Sequence, residues 1–174
     1  MNAQTTKILE EILDREGWPV YTEPTADHPD RGGATKGGIT LGTLKGWRER
    51  PTRRQDLQAL GKDEALEILR RQYVESCGID RLEGLPVFAQ VVDNAVLSGP
   101  YRSACDLQKA IGVKVDGMIG PVTCAAVDAH GDTVGAQLVR ARALRIAAFV
   151  QAHPTQLVFL KGWMRRVLGF LGEG

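Results

Sequence analysis

The stretch that decides the fold lies near the start of the chain: Ile8-Leu9-Glu10-Glu11-Ile12-Leu13-Asp14-Arg15-Glu16-Gly17-Trp18-Pro19. Its four aliphatic residues recur at helical spacing and form one apolar stripe, which predicts an amphipathic helix. Thr5 or Thr6 can cap the start of this helix, and Gly17 and Pro19 end it. The chain is therefore expected to begin with a helix that turns one face towards a core.

Glu16 lies on the same side of this helix as the apolar stripe, four positions after Ile12 and three after Leu13. We therefore expect its carboxyl group at the edge of the core, where partial loss of water favours the neutral form. A carboxyl group that keeps its proton can donate it to a poor leaving group such as a sugar alkoxide. The alternative is an ordinary helix-end residue that points into solvent.

The pattern changes between residues 18 and 40, where three prolines and four glycines predict a folded loop with a short β-hairpin. Helical spacing then returns. Thr40 and Asp63 can cap the next helices, and Gly99-Pro100 ends a later one. Two longer helices are expected at about 133–152 and 156–171, and the buried face of the last is predicted to comprise Leu160, Trp163, Met164, Val167, Leu168 and Leu171. The predicted fold class is mainly α, with six to eight helices around one core.

Composition excludes several classes of function. The net charge of +1 and the 6% aromatic content argue against an extended nucleic-acid surface. The basic run Lys45, Arg48, Arg50, Arg53 and Arg54 is read as a solvated face, or else as attraction to an anionic cell wall. Three dispersed cysteines predict neither a disulfide framework nor a zinc site, and no histidine pair has metal-ligand spacing. We expect no metal and no cofactor.

Blocks along nearly the whole chain resemble glycoside hydrolase family 108, a family of peptidoglycan-cleaving muramidases with a lysozyme-like fold. The first is the Glu16-Gly17 pair followed by Asp30-Arg31-Gly32-Gly33-Ala34-Thr35-Lys36-Gly37-Gly38-Ile39-Thr40. Further blocks, in order, are Val92-Asp93-Asn94-Ala95, Ser98-Gly99-Pro100, residues 107–113, residues 116–123 and residues 159–167. One departure is Leu97, where the family commonly has Asn. Residues 113–123 also resemble a turn found in peptidoglycan-binding modules, although the same turn can serve folding alone.

The resemblance implies a lysozyme-like helical fold with the hairpin insertion after the first helix, and a catalytic glutamate that falls on Glu16. It also implies a catalytic region at 1–98 and a helical, peptidoglycan-binding-like region at 99–174, packed as one compact unit. In lysozyme-like enzymes of the phage type, an Asp and then a Thr follow the acid. Asp30 and Thr35 fit that order loosely and are predicted to be catalytic. Asp27, Asp30 and Thr35 can equally be loop-forming residues.

Three residues are predicted to bind substrate: Tyr21 and Trp18, which can stack on sugars, and Asn94. Trp47 is a further stacking candidate, although core packing is the stronger expectation for it. The resulting hypothesis is hydrolysis of the β-1,4 bond between N-acetylmuramic acid and N-acetylglucosamine. A lytic transglycosylase, a non-catalytic wall-binding module and a helical nucleic-acid binder are the alternatives.

The first residues of the chain lack the apolar core of a secretory signal, and no segment has the length of a membrane span. We expect synthesis in the cytoplasm and action on the cell wall after release. The expected setting is a phage or prophage endolysin delivered by a holin, or alternatively a protein exported by secretion machinery. A monomer without nucleic-acid partners or membrane insertion is expected.

Overall fold

The computed structural model describes residues 2–23 and 33–172, and the chain divides into two compact units. The N-terminal unit is Met1–Gln72 and the C-terminal unit is Tyr73–Gly174. Helices dominate both units, and a small antiparallel sheet follows the first helix. The predicted mainly α fold with a hairpin insertion after helix one is therefore confirmed.

The N-terminal unit combines four α-helices with three two-residue strands among the described residues. In chain order these are α1 (Ala3–Arg15), β1 (Tyr21–Thr22), β2 (Thr35–Lys36), β3 (Ile39–Thr40), α2 (Leu41–Arg48), α3 (Arg54–Gln58) and α4 (Lys62–Leu69). A π-helical turn, Arg70–Val74, follows α4. Helix α1 packs against α4, and its buried face comprises Leu9, Ile12 and Leu13, as the apolar stripe predicts, together with Thr5.

The start of α1 differs from the prediction. Asn2 is the N-cap, and its side-chain oxygen accepts a hydrogen bond from the Thr5 amide at 2.8 Å. Thr5 is only 1% exposed, so it serves the core of the first turn and does not cap the helix. Asn is among the strongest N-cap residues, which explains why the helix begins one turn earlier. Likewise, Gly61 and not Asp63 is the N-cap of α4.

The sheet is a meander in which β1 pairs with β2 and β2 pairs with β3, both antiparallel. Lys36 pairs with Ile39, so Gly37 and Gly38 form a two-residue turn between β2 and β3. Both glycines have positive φ, +53° and +78°, as the tight hairpin turns that suit twisted strands require. Thr40 then caps α2, as predicted, by accepting from the Thr43 amide at 3.0 Å.

Much of the predicted basic run is neutralised by carboxylates of the same unit. Arg48 donates two hydrogen bonds to Glu64, at 2.7 and 2.6 Å, and its Nη1 lies 3.4 Å from Asp56. The Arg48 guanidinium accordingly lowers the pKa of Glu64 below its ordinary value. Arg54 lies 3.3 Å from Glu23. Local ion pairing therefore explains the presence of these arginines better than attraction to an anionic cell wall does.

All regular secondary structure of the C-terminal unit is helical among its described residues. A 3-10 segment, Ser76–Leu82, precedes α5 (Phe88–Ser98), α6 (Pro100–Ala110), α7 (Pro121–His130), α8 (Thr133–Ala152) and α9 (Leu157–Leu168), with 3-10 turns at Pro154–Gln156 and Gly169–Leu171. Helix α6 packs against both α5 and α8. The predicted domain boundary at residue 98 falls between α5 and α6, inside this unit.

The last helix is less buried than predicted. Val167 is fully buried, and Leu160, Trp163 and Met164 pack partly against the core of α8. Leu168 and Leu171, however, are 45% and 54% exposed. Leu171 lies in the tighter 3-10 turn that follows α9 and so no longer keeps the helical phase, whereas Leu168 is the last residue of α9 itself. No helix among the described residues is long and apolar enough to cross a bilayer.

The turn between α6 and α7 is held by a single buried side chain. Gln108 accepts hydrogen bonds from the amides of Asp116 and Gly117, at 3.1 and 2.9 Å, and donates to Asp116 Oδ1 at 2.8 Å. Gly117 has φ +74°, in the left-handed region that favours glycine, and a Cβ there would also meet the Tyr101 ring. These contacts give residues 113–123 a folding role that needs no ligand.

Candidate active site

Helix α1 ends in a Schellman motif that fixes the position of Glu16. The Trp18 amide donates to the Leu13 carbonyl oxygen at 3.0 Å, and the Gly17 amide donates to that of Asp14 at 3.1 Å. This motif needs a left-handed residue just after the C-cap, and Gly17 supplies it with φ +82°. Glu16 is the C-cap itself. The Glu-Gly pair therefore determines where the carboxyl-bearing residue leaves the helix.

The side chain of Glu16 does not lie in the partly buried position that the apolar stripe predicts. Glu16 is exposed, whereas Ile12 and Leu13 are at most 1% exposed. The Glu16 amide still donates to the Ile12 carbonyl oxygen at 2.9 Å, but Glu16 is the C-cap and lies beyond the buried stretch of α1, which ends at Leu13. The expected desolvation of Glu16 by its own fold is therefore wrong.

The glycine turn of the hairpin lies directly against Glu16. A Cβ placed on Gly38 would lie 3.3 Å from both Cβ and Cγ of Glu16 and 3.5 Å from its Oε2. Contacts of 3.3 Å are tighter than ordinary van der Waals spacing, so any larger residue would push on the carboxyl arm. The sheet thus brings its tightest turn to the end of α1 and limits where the Glu16 side chain can go.

Trp18 is held against the same turn. A Cβ on Gly37 would lie 2.6 Å from Cε3 of the indole, so the absence of a side chain at Gly37 makes room for the ring. The Lys36 ammonium lies 5.1 Å from the ring centroid, within the range of a cation–π contact. Lys36 also donates to the carbonyl oxygens of Gln58 and Leu60. Trp18 is therefore partly buried and positioned, as a sugar-stacking surface would need to be.

Thr35, predicted to be catalytic, and Tyr21, predicted to bind substrate, both lie on strands and both form side-chain hydrogen bonds. The hydroxyl groups of Thr35 and Thr22 lie 2.7 Å apart across the β1–β2 pair, and either can be the donor. When Thr22 donates, the Thr35 hydroxyl keeps its own proton for another acceptor. Tyr21 donates to Glu23 Oε1 at 2.6 Å, which raises the pKa of the phenol above its ordinary value. Tyr21 and Thr35 thus lie on neighbouring strands.

The remaining candidates from the sequence are Asp27, Asp30 and Trp47. Asp27 and Asp30 lie outside the described residues, so the structure says nothing of their positions. Trp47 is partly buried, and the Arg71 guanidinium lies 5.7 Å from its ring centroid. This contact is compatible with the packing role expected for Trp47.

Asn94 is corrected by the structure. It is fully buried in the C-terminal unit, and its amide donates to Asp106 at 3.0 Å. Its oxygen accepts from Ser98 at 3.4 Å and from Arg145 at 3.2 Å. A side chain with no exposed surface and three internal partners cannot contact a sugar. Asn94 therefore holds helices together, and we no longer assign it to substrate binding.

Sequence reasoning did not identify Thr22 and Lys36 as neighbours of Thr35 and Trp18, and it placed Gly38 in the loop without a contact to Glu16. The glycines between residues 18 and 40 predict a short hairpin in that stretch, but nothing local in the sequence indicates that its turn contacts Glu16. Chemically, the described residues offer one exposed carboxyl group on a fixed helix end, a positioned indole and a threonine hydroxyl. A single proton donor beside an aromatic surface suits acid-assisted cleavage of a sugar bond.

Comparisons with known proteins show the family to which the chain belongs. Residues 9–99 match the family described as Glycosyl hydrolase 108, and residues 102–168 match one described as Predicted Peptidoglycan domain. The chain is also similar to the solved structure of SagA from Brucella abortus, with 34% identity and a TM-score of 0.76. That alignment covers 96% of this chain and 91% of the SagA chain. No curated protein matches the chain. The resemblance inferred from the sequence blocks is confirmed.

Proposed function

Because the chain belongs to the glycosyl hydrolase 108 family and carries a peptidoglycan domain match, we propose that it hydrolyses the β-1,4 bond between N-acetylmuramic acid and N-acetylglucosamine. The coarser statement, a glycoside hydrolase with a role in peptidoglycan degradation or binding, follows from the two matches. The single observation that supports the finer proposal is the exposed carboxyl group of Glu16, fixed at the end of α1 against the glycine turn.

In the proposed reaction, Glu16 acts as the general acid. Its proton passes to the O4 atom of the departing N-acetylglucosamine as the bond to C1 of N-acetylmuramic acid breaks. A water molecule adds to C1 and releases one proton to solvent, from which Glu16 is protonated again, so the products are two sugars with free hydroxyl groups. Glu16 is exposed in the free protein. We propose that the bound glycan displaces water from the carboxyl group and thereby favours its neutral form.

The second group in the reaction is proposed to be Thr35 or Asp30. The Thr22 hydroxyl lies beside that of Thr35 and can orient it, which supports a role in placing the attacking water. Attack by water from the face opposite the acid inverts the configuration at C1. Trp18 and Tyr21 are proposed to provide stacking surfaces for the sugars, since aromatic rings present broad apolar faces.

The proposed setting is a phage or prophage endolysin that is made in the cytoplasm and reaches the wall through a holin pore. Export by a secretion machine is the alternative route. The protein is proposed to act as a monomer on glycan strands.

Mass spectrometry of the released muropeptides tests the reaction type. Digestion of purified cell walls is expected to give fragments that end in reducing N-acetylmuramic acid. Fragments lighter by one water, with anhydro ends, would instead indicate a lytic transglycosylase and contradict hydrolysis. Reducing N-acetylglucosamine ends would show that the other glycosidic bond is cut.

Gly38→Ala is expected to lower wall-clearing activity by up to about 10²-fold, because small misplacement of a catalytic group is costly. The matched control is Gly33→Ala: Gly33 has φ +74°, close to the +78° of Gly38, but a Cβ there meets nothing within 4 Å. Both variants should lose about 1–2 kcal/mol of stability through the left-handed backbone. Equal activity of the two variants in turbidity assays would show that contact with Glu16 is unimportant.

A further inference from the structure

A pocket of about 220 Å³ opens on the C-terminal unit, far along the chain from Glu16 and outside the residues used in the proposed reaction. Helices α5, α6, α8 and α9 contribute to its lining, together with Gln156, which immediately precedes α9. One part of the lining is cationic, with Arg102 and Arg145, and another is aromatic, with Phe149 and Trp163. No carboxylate is among the described residues that line it.

Arg145 is held in place by buried groups behind the pocket. Its Nε donates to Asp106 at 2.8 Å, and its Nη2 donates to Ser98 at 2.7 Å and to Asn94 at 3.2 Å. Asp106 is itself 3% exposed, so these contacts hold the guanidinium from the core side. The Nη1 group has no acceptor among the residues that the structure describes. Arg145 therefore presents a fixed donor with little conformational entropy left to lose on binding a ligand.

Arg102 supplies a second positive charge from α6. It is exposed and forms no ion pair with any residue in the described ranges, in contrast to Arg145. Because Asp106 already pairs with Arg145, the uncompensated charge at the pocket is that of Arg102, and Arg145 adds the donor group of its Nη1; together they favour an anionic ligand. Guanidinium groups pair especially well with carboxylates because the two planar groups can form parallel hydrogen bonds.

The aromatic part of the pocket is preformed by ring contacts. Phe149 and Trp163 pack edge to face, with ring centroids 5.9 Å apart, and the Phe159 ring centroid lies 5.7 Å from that of Trp163. Leu97 and Ile146 add apolar surface. This wall suits short aliphatic groups. The volume is below the roughly 300–1,000 Å³ of sites for drug-sized ligands, which suits one or two amino-acid residues better than a disaccharide.

We propose that this pocket binds the carboxylate-bearing peptide that peptidoglycan carries on its muramic acid. Arg102 and the free face of Arg145 hold the carboxylate, and the Phe149–Trp163 wall receives the small side chain of the neighbouring residue. The inference deepens the proposed function, on which it rests, by naming the part of the wall that the C-terminal unit recognises.

Calorimetric titration of the full chain with N-acetylmuramyl-L-alanyl-D-glutamate tests the pocket directly. The same compound with both glutamate carboxyl groups converted to amides is the ligand control. Arg102→Gln should weaken binding of the acid about tenfold, because a charged hydrogen bond is lost, and should leave folding intact. Arg140→Gln, which changes an exposed arginine of α8 outside this pocket, should bind as the wild type does. Equal binding of acid and amide, or an unchanged affinity in Arg102→Gln, would overturn the proposal.

A second arm separates this proposal from the reaction at Glu16. Arg102→Gln should lose activity on intact walls but keep wild-type activity on glycan strands from which an amidase has removed the peptides. Glu16→Gln should bind the muramyl peptide normally while losing activity on both substrates. If the wild type binds the muramyl peptide but cleaves neither substrate, the proposed hydrolysis alone is contradicted. If the wild type cleaves both substrates and Arg102→Gln keeps the same fraction of wild-type activity on each, the peptide pocket alone is contradicted.

Discussion

Glu16→Gln is expected to lower the rate of wall clearing by about 10²–10⁴-fold, the usual contribution of a general acid. Glutamine keeps the size and hydrogen-bonding reach of the side chain but has no acidic proton to give to the leaving oxygen. Glu16 is exposed, and glutamine has nearly the same size, so the contact with the Gly38 turn is kept in this variant. The measurement is loss of turbidity of a purified wall suspension.

Glu11→Gln is the matched control for this variant. Glu11 lies on the same helix, is 53% exposed and pairs only loosely with Arg15, at 3.9 Å. An exposed ion pair of this kind contributes little, so this variant should clear walls at nearly the wild-type rate. Wild-type clearing by Glu16→Gln would mean that the protein binds walls without using this residue to cut them, or cuts them with another acid.

Asp93→Ala is expected to lower the free energy of unfolding by about 3–5 kcal/mol, because it removes the carboxylate that pairs with Arg142 and Arg166 inside the protein. Asp93 is 2% exposed and accepts from Arg142 Nη2 and from Arg166 Nε, both at 2.8 Å. Arg142 has a fully buried side chain, and burial lowers the pKa of its guanidinium, which the Asp93 carboxylate opposes. One carboxylate thus links α5 to α8 and α9.

Urea unfolding of the full chain measures this effect through the midpoint and slope of the transition. Asp93→Asn keeps one acceptor oxygen but not the charge, so its loss should fall between those of the wild type and Asp93→Ala. Asp128→Ala removes an exposed carboxylate of the same unit and should change stability by less than about 0.5 kcal/mol. A loss in Asp93→Ala no larger than that of Asp128→Ala would contradict the buried role of Asp93.

Features set by local chemistry were predictable from the sequence. The apolar stripe of α1, its end at Gly17 and the presence of a short hairpin after it each depend on residues within a few positions of one another. The same holds for the Thr40 cap and for Pro121 at the start of α7. Helical spacing and the backbone preferences of glycine and proline are sufficient for such elements.

Features set by distant contacts were not predictable in this way. Asn94 resembled a site residue, yet it is buried by partners on α6 and α8. Arg142 and Arg166 lie 49 and 73 positions from Asp93, and no spacing rule connects them. The exposure of Glu16 was misjudged because an ideal helix was continued to a residue that already forms the cap. Each error arose where tertiary packing or a helix end overrides periodicity.

The central claim is that Glu16 supplies the proton that the leaving sugar needs. A dinitrophenyl β-glycoside of N-acetylglucosaminyl-N-acetylmuramic acid tests it most directly, because dinitrophenolate leaves without protonation. Glu16→Gln is predicted to release dinitrophenol at close to the wild-type rate while remaining defective on natural walls. An equally large loss on both substrates would contradict the role of Glu16 as the general acid.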